Sequence, residues 1–240
     1  MEFTLLGAAF VAVVPLYGLL YWEARRGNAA SCARNLWDVS LSAIVAGIFV
    51  GRLVAMIADG VNPITNPADI LIIRGGVATV PATITAVATA AWLGRRELWA
   101  ALDGLAAASV AGVAGWHAGC VVRDSCLGTP SDLPWATAQG GSAVTRHPVE
   151  LYAAVGMAVV AIGIAAWRHR SYWRPGIAAG VALTSVAALR LVTEPLRPRI
   201  GSGMAAWYLL GMALGIGFTI WRFTKSADDG AKSAGGGRTG

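Results

Sequence analysis

Residues 38–58 read DVSLSAIVAGIFVGRLVAMIA, and Asp38 and Arg52 are the only charged residues among them. A helix needs roughly 20 mainly apolar residues to cross a bilayer core of about 30 Å. This stretch is long and apolar enough to do so. It lacks the strict alternation of polar and apolar residues that is typical of lipid-facing strands in a β-barrel. The segment therefore predicts a membrane-spanning helix.

Further stretches of the same character occur along the chain. They lie at about 3–22, 70–93, 98–122, 148–167, 175–195 and 204–221. The chain is 56% hydrophobic and 13% charged, whereas a soluble domain has about 25% charged residues. Its mean hydropathy is +0.59. The composition excludes a soluble globular domain, and the pattern predicts an all-α integral membrane protein with about seven transmembrane helices.

Basic residues divide unevenly between the two sets of connections. Those after the first, third, fifth and seventh stretches hold Arg25, Arg26, Arg34, Arg95, Arg96, Arg168, Arg170, Arg174, Arg222, Lys225, Lys232 and Arg238. The others hold Arg123, Arg146, Arg197 and Arg199. Because Lys and Arg concentrate in cytoplasmic loops, we expect the N-terminus outside and the C-terminus in the cytoplasm. The same placement accounts for the net charge of +6 without a nucleic-acid partner.

The chain divides into one large domain and a short tail. We expect a seven-helix transmembrane domain over residues 1–225 and a disordered cytoplasmic tail over 226–240, because the tail is small and polar. The longest connection, roughly 123–147, is rich in Gly, Pro, Ser and Asp and is predicted to lie outside. A connection of that length in a compact protein is usually functional or disordered.

Two cysteines lie at the predicted outer end of the fourth stretch. Cys120 and Cys126 are compatible with a disulfide on that side of the membrane or with two half-buried thiols. Together with His117 and His147 they match no standard zinc spacing, so we expect no metal site.

Isolated ionisable groups in a spanning helix are costly and usually face a partner or a cavity. Here they are Arg52, Arg74, Asp103, Arg190 and Glu194. Arg190 and Glu194 are four residues apart, so they share a helix face and can form an ion pair. One interpretation is a pair that only fixes helix packing. The other is a cationic pocket for an anionic lipid headgroup, because guanidinium binds phosphate oxygens bidentately.

Six segments, in order, resemble motifs of the prolipoprotein diacylglyceryl transferases, bacterial membrane enzymes with seven spans. RHPVELY (146–152) resembles the motif H-P-x-x-L-Y. GRLVAMI (51–57) and IRGGV (73–77) resemble G-[GA]-R-x-G and R/D-G-G-[LM], and Asp103 matches an acidic residue early in the fourth span. GWHAGCVVRDSCLGTPSDLPWA (115–136) resembles G-R-x-G-[NC]-x-x-x-x-x-x-G-x-P-T-x-L-P-W, and LRLVTEPLR (189–197) resembles R-F-x-x-E-x-x-R.

The resemblance implies transfer of a diacylglyceryl group from phosphatidylglycerol to the lipobox cysteine thiol of prolipoproteins, in the bacterial cytoplasmic membrane. It implies phosphatidylglycerol, prolipoprotein signal peptides and membrane lipids as partners, and no cofactor. Cations must then hold the departing phosphate, and a base must take the thiol proton, since the thiolate is the nucleophile.

The motifs assign these tasks to particular residues. Arg190 is the expected phosphate clamp, Glu194 would orient it, and His117 is either the general base or a satisfied helix-end histidine. Asp103 would support one of these catalytic groups by a hydrogen bond or pair with Arg52. The expected substrate-binding residues are Arg52, Gly75, Gly76, Arg123, Gly128, His147 and Tyr152.

Several family positions carry other residues in this chain. His117 replaces an Arg, Cys120 and Arg123 replace Asn, Ser125 and Ala153 replace Glu, and Val80 replaces His. These substitutions motivate an alternative hypothesis. In it, the chain is a paralogue that has lost the transferase chemistry and binds anionic phospholipid or signal-peptide helices.

Overall fold

The computed structural model describes residues 2–26, 35–71, 77–123, 125–126, 128–138, 142–170, 174–198 and 204–235. Its helices are α1 (Glu2–Arg25), α2 (Leu36–Ala58), α3 (Ala68–Leu71), α4 (Thr79–Leu93), α5 (Leu98–Ala118), α6 (Val149–Arg170), α7 (Ile177–Thr193) and α8 (Met204–Gly235). Short 3-10 turns lie at Arg95–Glu97 and Glu194–Leu196. Cys32, Arg74, Gly75 and Gly76 lie outside the described residues.

Six helices are long and apolar enough to cross a membrane, so the prediction of an all-α, multi-pass membrane protein is confirmed. The third predicted stretch, 70–93, differs from the others. Its chain forms the short α3 and then α4, which has 15 residues and is about 22 Å long at 1.5 Å per residue. The stretch 70–93 is therefore long and apolar enough to span a membrane, but it does not form one continuous helix.

The C-terminal helix extends beyond the apolar sequence. α8 runs from Met204 to Gly235, whereas the apolar stretch ends at about residue 221. It thus enters the segment for which the sequence predicts a disordered tail, and the domain boundary at residue 225 stays a prediction.

Helix α5 is the centre of the bundle. In its spanning window 61% of residues are buried, against 39% or fewer in the other five candidate spans. It packs against α1 on one side and α6 on the other, and it also contacts α7. Its buried face is almost entirely Ala and Gly, and such small residues let membrane helices approach closely. Larger side chains from α6, including Met157 and Ile164, fill the space beside them.

The outer helices expose large apolar side chains. Leu41, Ile84, Val159 and Leu214 are each more than half exposed, and they come from four different helices. In water a surface of this kind would drive aggregation. In a bilayer it faces hydrocarbon and needs no further cover.

Helices α2 and α4 form an antiparallel pair along the side of the bundle. Gly47 of α2 lies against Ala82 and Ala86, and Gly51 lies against Val77 and Ala82. Near the start of α2, Val39 and Ala43 pack on Ala90. α4 thus follows α2 back from Gly51 towards its beginning.

A glycine permits the contact between α1 and α5. A Cβ atom on Gly115 would lie 2.2 Å from the carbonyl oxygen of Val11 and 2.7 Å from the Cα of Ala12. We expect Gly115→Ala to destabilise the protein by about 1–3 kcal/mol, because the clash is with backbone and the helices must separate. Gly18→Ala on α1 is the matched control, since no atom of another described element lies within 4 Å of its Cβ position.

Thermal unfolding of the detergent-purified variants measures the difference. The Gly115 variant should melt below the parent protein, and the Gly18 variant should match it. Equal melting of both variants would show that α1 and α5 do not pack as described.

Candidate active site at the loop end of the bundle

Four helix ends meet at one end of the bundle. α5 and α7 finish there, α6 and α8 begin there, and the long connection 123–147 joins α5 to α6 at the same end. We refer to it as the loop end. The other end of the bundle holds the beginnings of α5 and α7 and the last turn of α6.

Glu150, in the first turn of α6, is the centre of a charged cluster at the loop end. Its Oε2 contacts Nδ1 of His117, and its Oε1 accepts a hydrogen bond from Nη2 of Arg197. Nη1 of Arg190 lies 3.5 Å from Oε2. The side chains of Glu150, His117 and Arg190 are 15%, 12% and 10% exposed. One carboxylate therefore links α6 to α5, to α7 and to the turn that follows α7.

The helix termini favour these charges where they stand. Glu150 lies at a helix N-terminus, whose partial positive charge stabilises an anion. His117 and Arg190 each lie in the last turn of a helix, where a cation is favoured. The helix dipole therefore stabilises the charge of each of these residues independently of the contacts among them.

Arg190 has a second partner, and both arginines keep unused donors. Its Nη2 donates to the hydroxyl of Tyr208 at 3.3 Å, and its guanidinium lies 5.6 Å from the centre of the Tyr208 ring. Nη1 of Arg190 and Nε of Arg197 are buried and make no hydrogen bond with any residue that the structure describes. A buried N–H group without an acceptor is costly. Two such groups beside one carboxylate suit a phosphate oxygen.

The predicted pair between Arg190 and Glu194 is replaced by another arrangement. The partners of Arg190 among the described residues are Glu150 and Tyr208. α7 ends at Thr193 and Glu194 begins a 3-10 turn, so the face shared by residues four apart in an α-helix does not continue to it. Oε2 of Glu194 is buried and accepts no hydrogen bond within the described part of the chain.

Asp103 lies far from the cluster, contrary to its predicted place beside the catalytic groups. Its Oδ2 accepts from the backbone N–H of Gly176 at 2.7 Å, and its Oδ1 from that of Ala179 at 2.9 Å. It therefore caps the beginning of α7, whereas Arg190 lies at the end. The two positions are about 21 Å apart along the helix. The reason is direction: Asp103 comes early in a helix whose end reaches the loop end.

The predicted substrate-binding residue Arg52 lies on α2 and is 5% exposed. Its Nε donates to the carbonyl oxygen of Asp69 at 3.0 Å. Arg52 thereby ties α2 to α3. Gly75 and Gly76, predicted with it, lie outside the described residues.

Arg123 covers the end of α5. Its guanidinium donates to the carbonyl oxygens of Trp116 and Gly119, at 3.3 and 3.4 Å, and lies 4.7 Å from the Trp116 ring centre. Immediately beside it, Cys120 and Cys126 form a disulfide. Of the two alternatives that the sequence leaves open, the structure has the disulfide, which also removes both thiols as metal ligands.

Gly128 and His147 of the folded connection lie close to Tyr152 in the first turn of α6. A Cβ atom on Gly128 would lie 2.5 Å from the carbonyl oxygen of His147 and 2.4 Å from Cγ2 of Val149, so only glycine fits there. Nδ1 of His147 lies 3.4 Å from the Tyr152 hydroxyl, which accepts from Nε1 of Trp135 at 2.8 Å. The structure brings these three predicted residues to the loop end with Arg190 and His117.

Sequence reasoning missed two members of the cluster, Glu150 and Tyr208, and gave Arg197 no role in the chemistry. Glu150 stands inside RHPVELY. An acidic residue at the start of a helix is common and does not by itself indicate a functional site. The available signal was its position. Glu150 begins a stretch that is predicted to start at the same membrane face as Arg190.

The cap formed by Asp103 gives a prediction on stability. Asp103→Ala removes both acceptors at the start of α7, and we expect a loss of about 1–2 kcal/mol. Asp103→Asn keeps one acceptor oxygen and should lose less. Thermal unfolding in detergent measures both variants. Wild-type stability of Asp103→Ala would contradict the capping role.

Comparison with known proteins agrees with the resemblance in the motifs. The family model described as prolipoprotein diacylglyceryl transferase matches residues 5–229. The phosphatidylglycerol–prolipoprotein diacylglyceryl transferase of Chlamydia trachomatis is 28% identical, with 80% of this chain and 78% of that protein covered. The enzymes of that name from Rhizobium meliloti and Pseudoalteromonas translucida are 28% and 26% identical, over 92% and 94% of this chain and 86% and 96% of theirs. With a match over nearly its whole length, the chain belongs to the prolipoprotein diacylglyceryl transferase family.

Proposed function

We propose that this chain transfers a diacylglyceryl group from phosphatidylglycerol to the lipobox cysteine thiol of prolipoproteins. The observation that carries the proposal is the pair of arginines at the loop end. In a chain of this family, Arg190 and Arg197 reach the same carboxylate, and Nη1 of Arg190 and Nε of Arg197 are buried without a hydrogen bond to any described residue. The names of the relatives supply the two substrates.

The reaction develops negative charge on the departing glycerol phosphate. Arg190 and Arg197 would hold this phosphate with their free donors, Nη1 and Nε. Guanidinium suits the task because it stays charged when desolvated and binds phosphate oxygens in a plane. Glu150 and Tyr208 fix Arg190 in advance, so little reorganisation is needed as the charge grows. Glu194, with its buried unpaired oxygen, would support this region rather than contact Arg190.

The folded connection would form the wall that receives the signal peptide. Trp135 is 57% exposed and is held by Tyr152, which also contacts His147. An aromatic side chain of this kind sits well at the membrane interface. We assign substrate binding to this wall and to Gly128 beneath it. On the motifs alone, we also assign it to Arg52, Gly75, Gly76 and Arg123.

We also propose that the loop end faces the outside of the bacterial cytoplasmic membrane, and that α4 and the residues before it complete a seventh crossing. Two observations support this orientation. Exposed or half-buried basic residues collect at the opposite end, including Arg25, Arg95 and Arg222, as the positive-inside rule requires. The disulfide lies at the loop end, on the side where oxidising conditions allow it.

Cysteine labelling tests the orientation. In a Cys32→Ala background, Asp132→Cys should react with a membrane-impermeant thiol reagent in intact spheroplasts. Arg96→Cys should react only after lysis. Labelling of both positions in intact spheroplasts would show that α5, which separates them, does not cross the membrane. Asn66→Cys, between α2 and α4, should react in intact spheroplasts as Asp132→Cys does, and its protection there would show that α4 does not complete a crossing. Labelling of Arg96→Cys alone would reverse the orientation.

Complementation tests the activity. The chain should restore thioether lipidation of a prolipoprotein in cells depleted of their own transferase. Arg190→Ala should lower the rate about a hundredfold or more, which is typical for loss of a group that stabilises a developing anion. Arg190→Lys should recover part of it. Arg170→Ala, an exposed arginine at the opposite end, is the matched control and should retain full activity.

A measurement on the purified protein distinguishes the transferase from the alternative hypothesis of a lipid-binding paralogue. Purified protein that carries bound phosphatidylglycerol but shows no turnover, although well inserted, would identify a lipid-binding paralogue. Lipid mass spectrometry of the purified protein gives that readout.

A further inference from the structure

We infer that His117 is the base that accepts the thiol proton and that Glu150 is the residue that positions it. The inference rests on the proposed function and adds to it a His–Glu pair. The sequence leaves His117 as either a general base or a helix-end histidine, and it assigns Glu150 no role in catalysis.

The contact fixes which nitrogen of the ring is available. Nδ1 of His117 faces Oε2 of Glu150. A carboxylate that accepts a hydrogen bond from Nδ1–H holds the imidazole in one orientation and in the tautomer whose Nε2 is the proton acceptor. The ring is mostly buried but not sealed, with 12% of the side chain exposed. Nε2 is thus the nitrogen left to meet a substrate thiol.

The alternative role of His117 is to cap the end of its helix. Another residue performs that role. Arg123 donates to the carbonyl oxygens of Trp116 and Gly119 at the end of α5. The backbone oxygen of His117 itself accepts from the N–H of Cys120. The imidazole ring is therefore not required for capping, and its described contact is with the carboxylate.

Charge explains why the base needs Glu150. Arg190 and Arg197 reach the same carboxylate from α7 and the following turn, Tyr208 contacts Arg190 from α8, and Arg123 lies at the end of α5 itself. Like charges that share one partner repel one another, so a positive charge on the ring needs this anion beside it. The carboxylate offsets them and stabilises the imidazolium that forms when the thiol gives up its proton.

The step balances as follows. The S–H bond of the lipobox cysteine breaks and its proton goes to Nε2 of His117. The thiolate sulfur forms a C–S bond with the glyceryl carbon that bears the phosphate ester. The C–O bond to phosphate breaks, and its electron pair leaves with glycerol phosphate, held by Arg190 and Arg197. The proton then passes from His117 to water or to the departing phosphate, which restores the neutral base.

A double-mutant cycle tests whether Glu150 acts through His117. The assay uses purified protein, phosphatidylglycerol vesicles and a peptide with a lipobox cysteine, and measures glycerol phosphate release. His117→Gln should lower kcat about a hundredfold, as expected for loss of a general base. Glu150→Gln should lower it about tenfold, with KM for the lipid changed less. In the double variant, Glu150→Gln should add little to the loss caused by His117→Gln.

Two further measurements separate positioning from a structural role. In Glu150→Gln the acid limb of the rate profile should move to lower pH, because the group that stabilises the imidazolium is gone. In His117→Gln this limb should disappear. His117→Arg places a permanent cation beside Glu150 and restores the residue of the family motif. We expect it to be inactive or nearly so, because guanidinium cannot accept a proton.

The outcomes that overturn the inference are distinct from failure of the proposed function. Multiplicative losses in the double variant would show that Glu150 acts on the arginines instead. An unmoved acid limb in Glu150→Gln, or half or more of the activity in His117→Arg, would show that His117 is no base. If the unmodified chain itself has no turnover, the proposed function fails. Melting temperatures of all variants, measured in the same detergent, exclude loss by misfolding.

Discussion

The carboxylate of Glu150 is the contact on which the loop end depends. Arg190, Arg197 and His117 come from different elements and would repel one another if all were charged, and burial would make that repulsion strong. One shared anion converts the repulsion into attraction and draws the ends of α5 and α7 onto the start of α6. Removing that anion would leave buried cations without a partner, which is more costly than never having placed them there. The contacts that set the geometry of the site are thus the same contacts that hold the ends of α5 and α7 against the start of α6.

The opposite end repeats the principle with other residues. Glu23 of α1 is fully buried and pairs with Arg168 of α6 at 3.0 Å, and Asp103 of α5 caps α7. Between the two ends, the interior of α5, α6 and α7 is apolar and its helices touch through small residues. Ion pairs and hydrogen bonds therefore fix the helix ends, and apolar van der Waals packing fills the middle of the bundle. This division suits a bilayer, where polar groups are least costly near the two surfaces.

Much of this arrangement could be predicted from apolar length and motif order. The membrane class, the helices and the gathering of Arg190, His117, His147 and Tyr152 at one end follow from them. Asp103 lies apart from the cluster, as its position early in a helix whose end holds His117 implies, and its catalytic role stays a prediction. The pair of Arg190 with Glu194 assumed a helix that in fact stops at Thr193. Nothing local in the sequence gives the stopping point or shows that Glu150 is the partner, because both depend on how three helices meet.

The composition of α5 has a consequence for how this fold can vary. Its buried surface is built, apart from Asp103 and Val110, from Ala and Gly, which have almost no side chain to remove, so truncation of side chains elsewhere along that surface would have little effect. Its sensitivity is to added volume, since single methyl groups at the tightest crossings already meet backbone. The most central helix is therefore the one in which shortening side chains reveals least. Its buried alanines can change to Gly or Ser more easily than to larger residues, and its glycines at the tightest crossings cannot change even to Ala. This asymmetry leaves the helix termini as the places where chemistry can change.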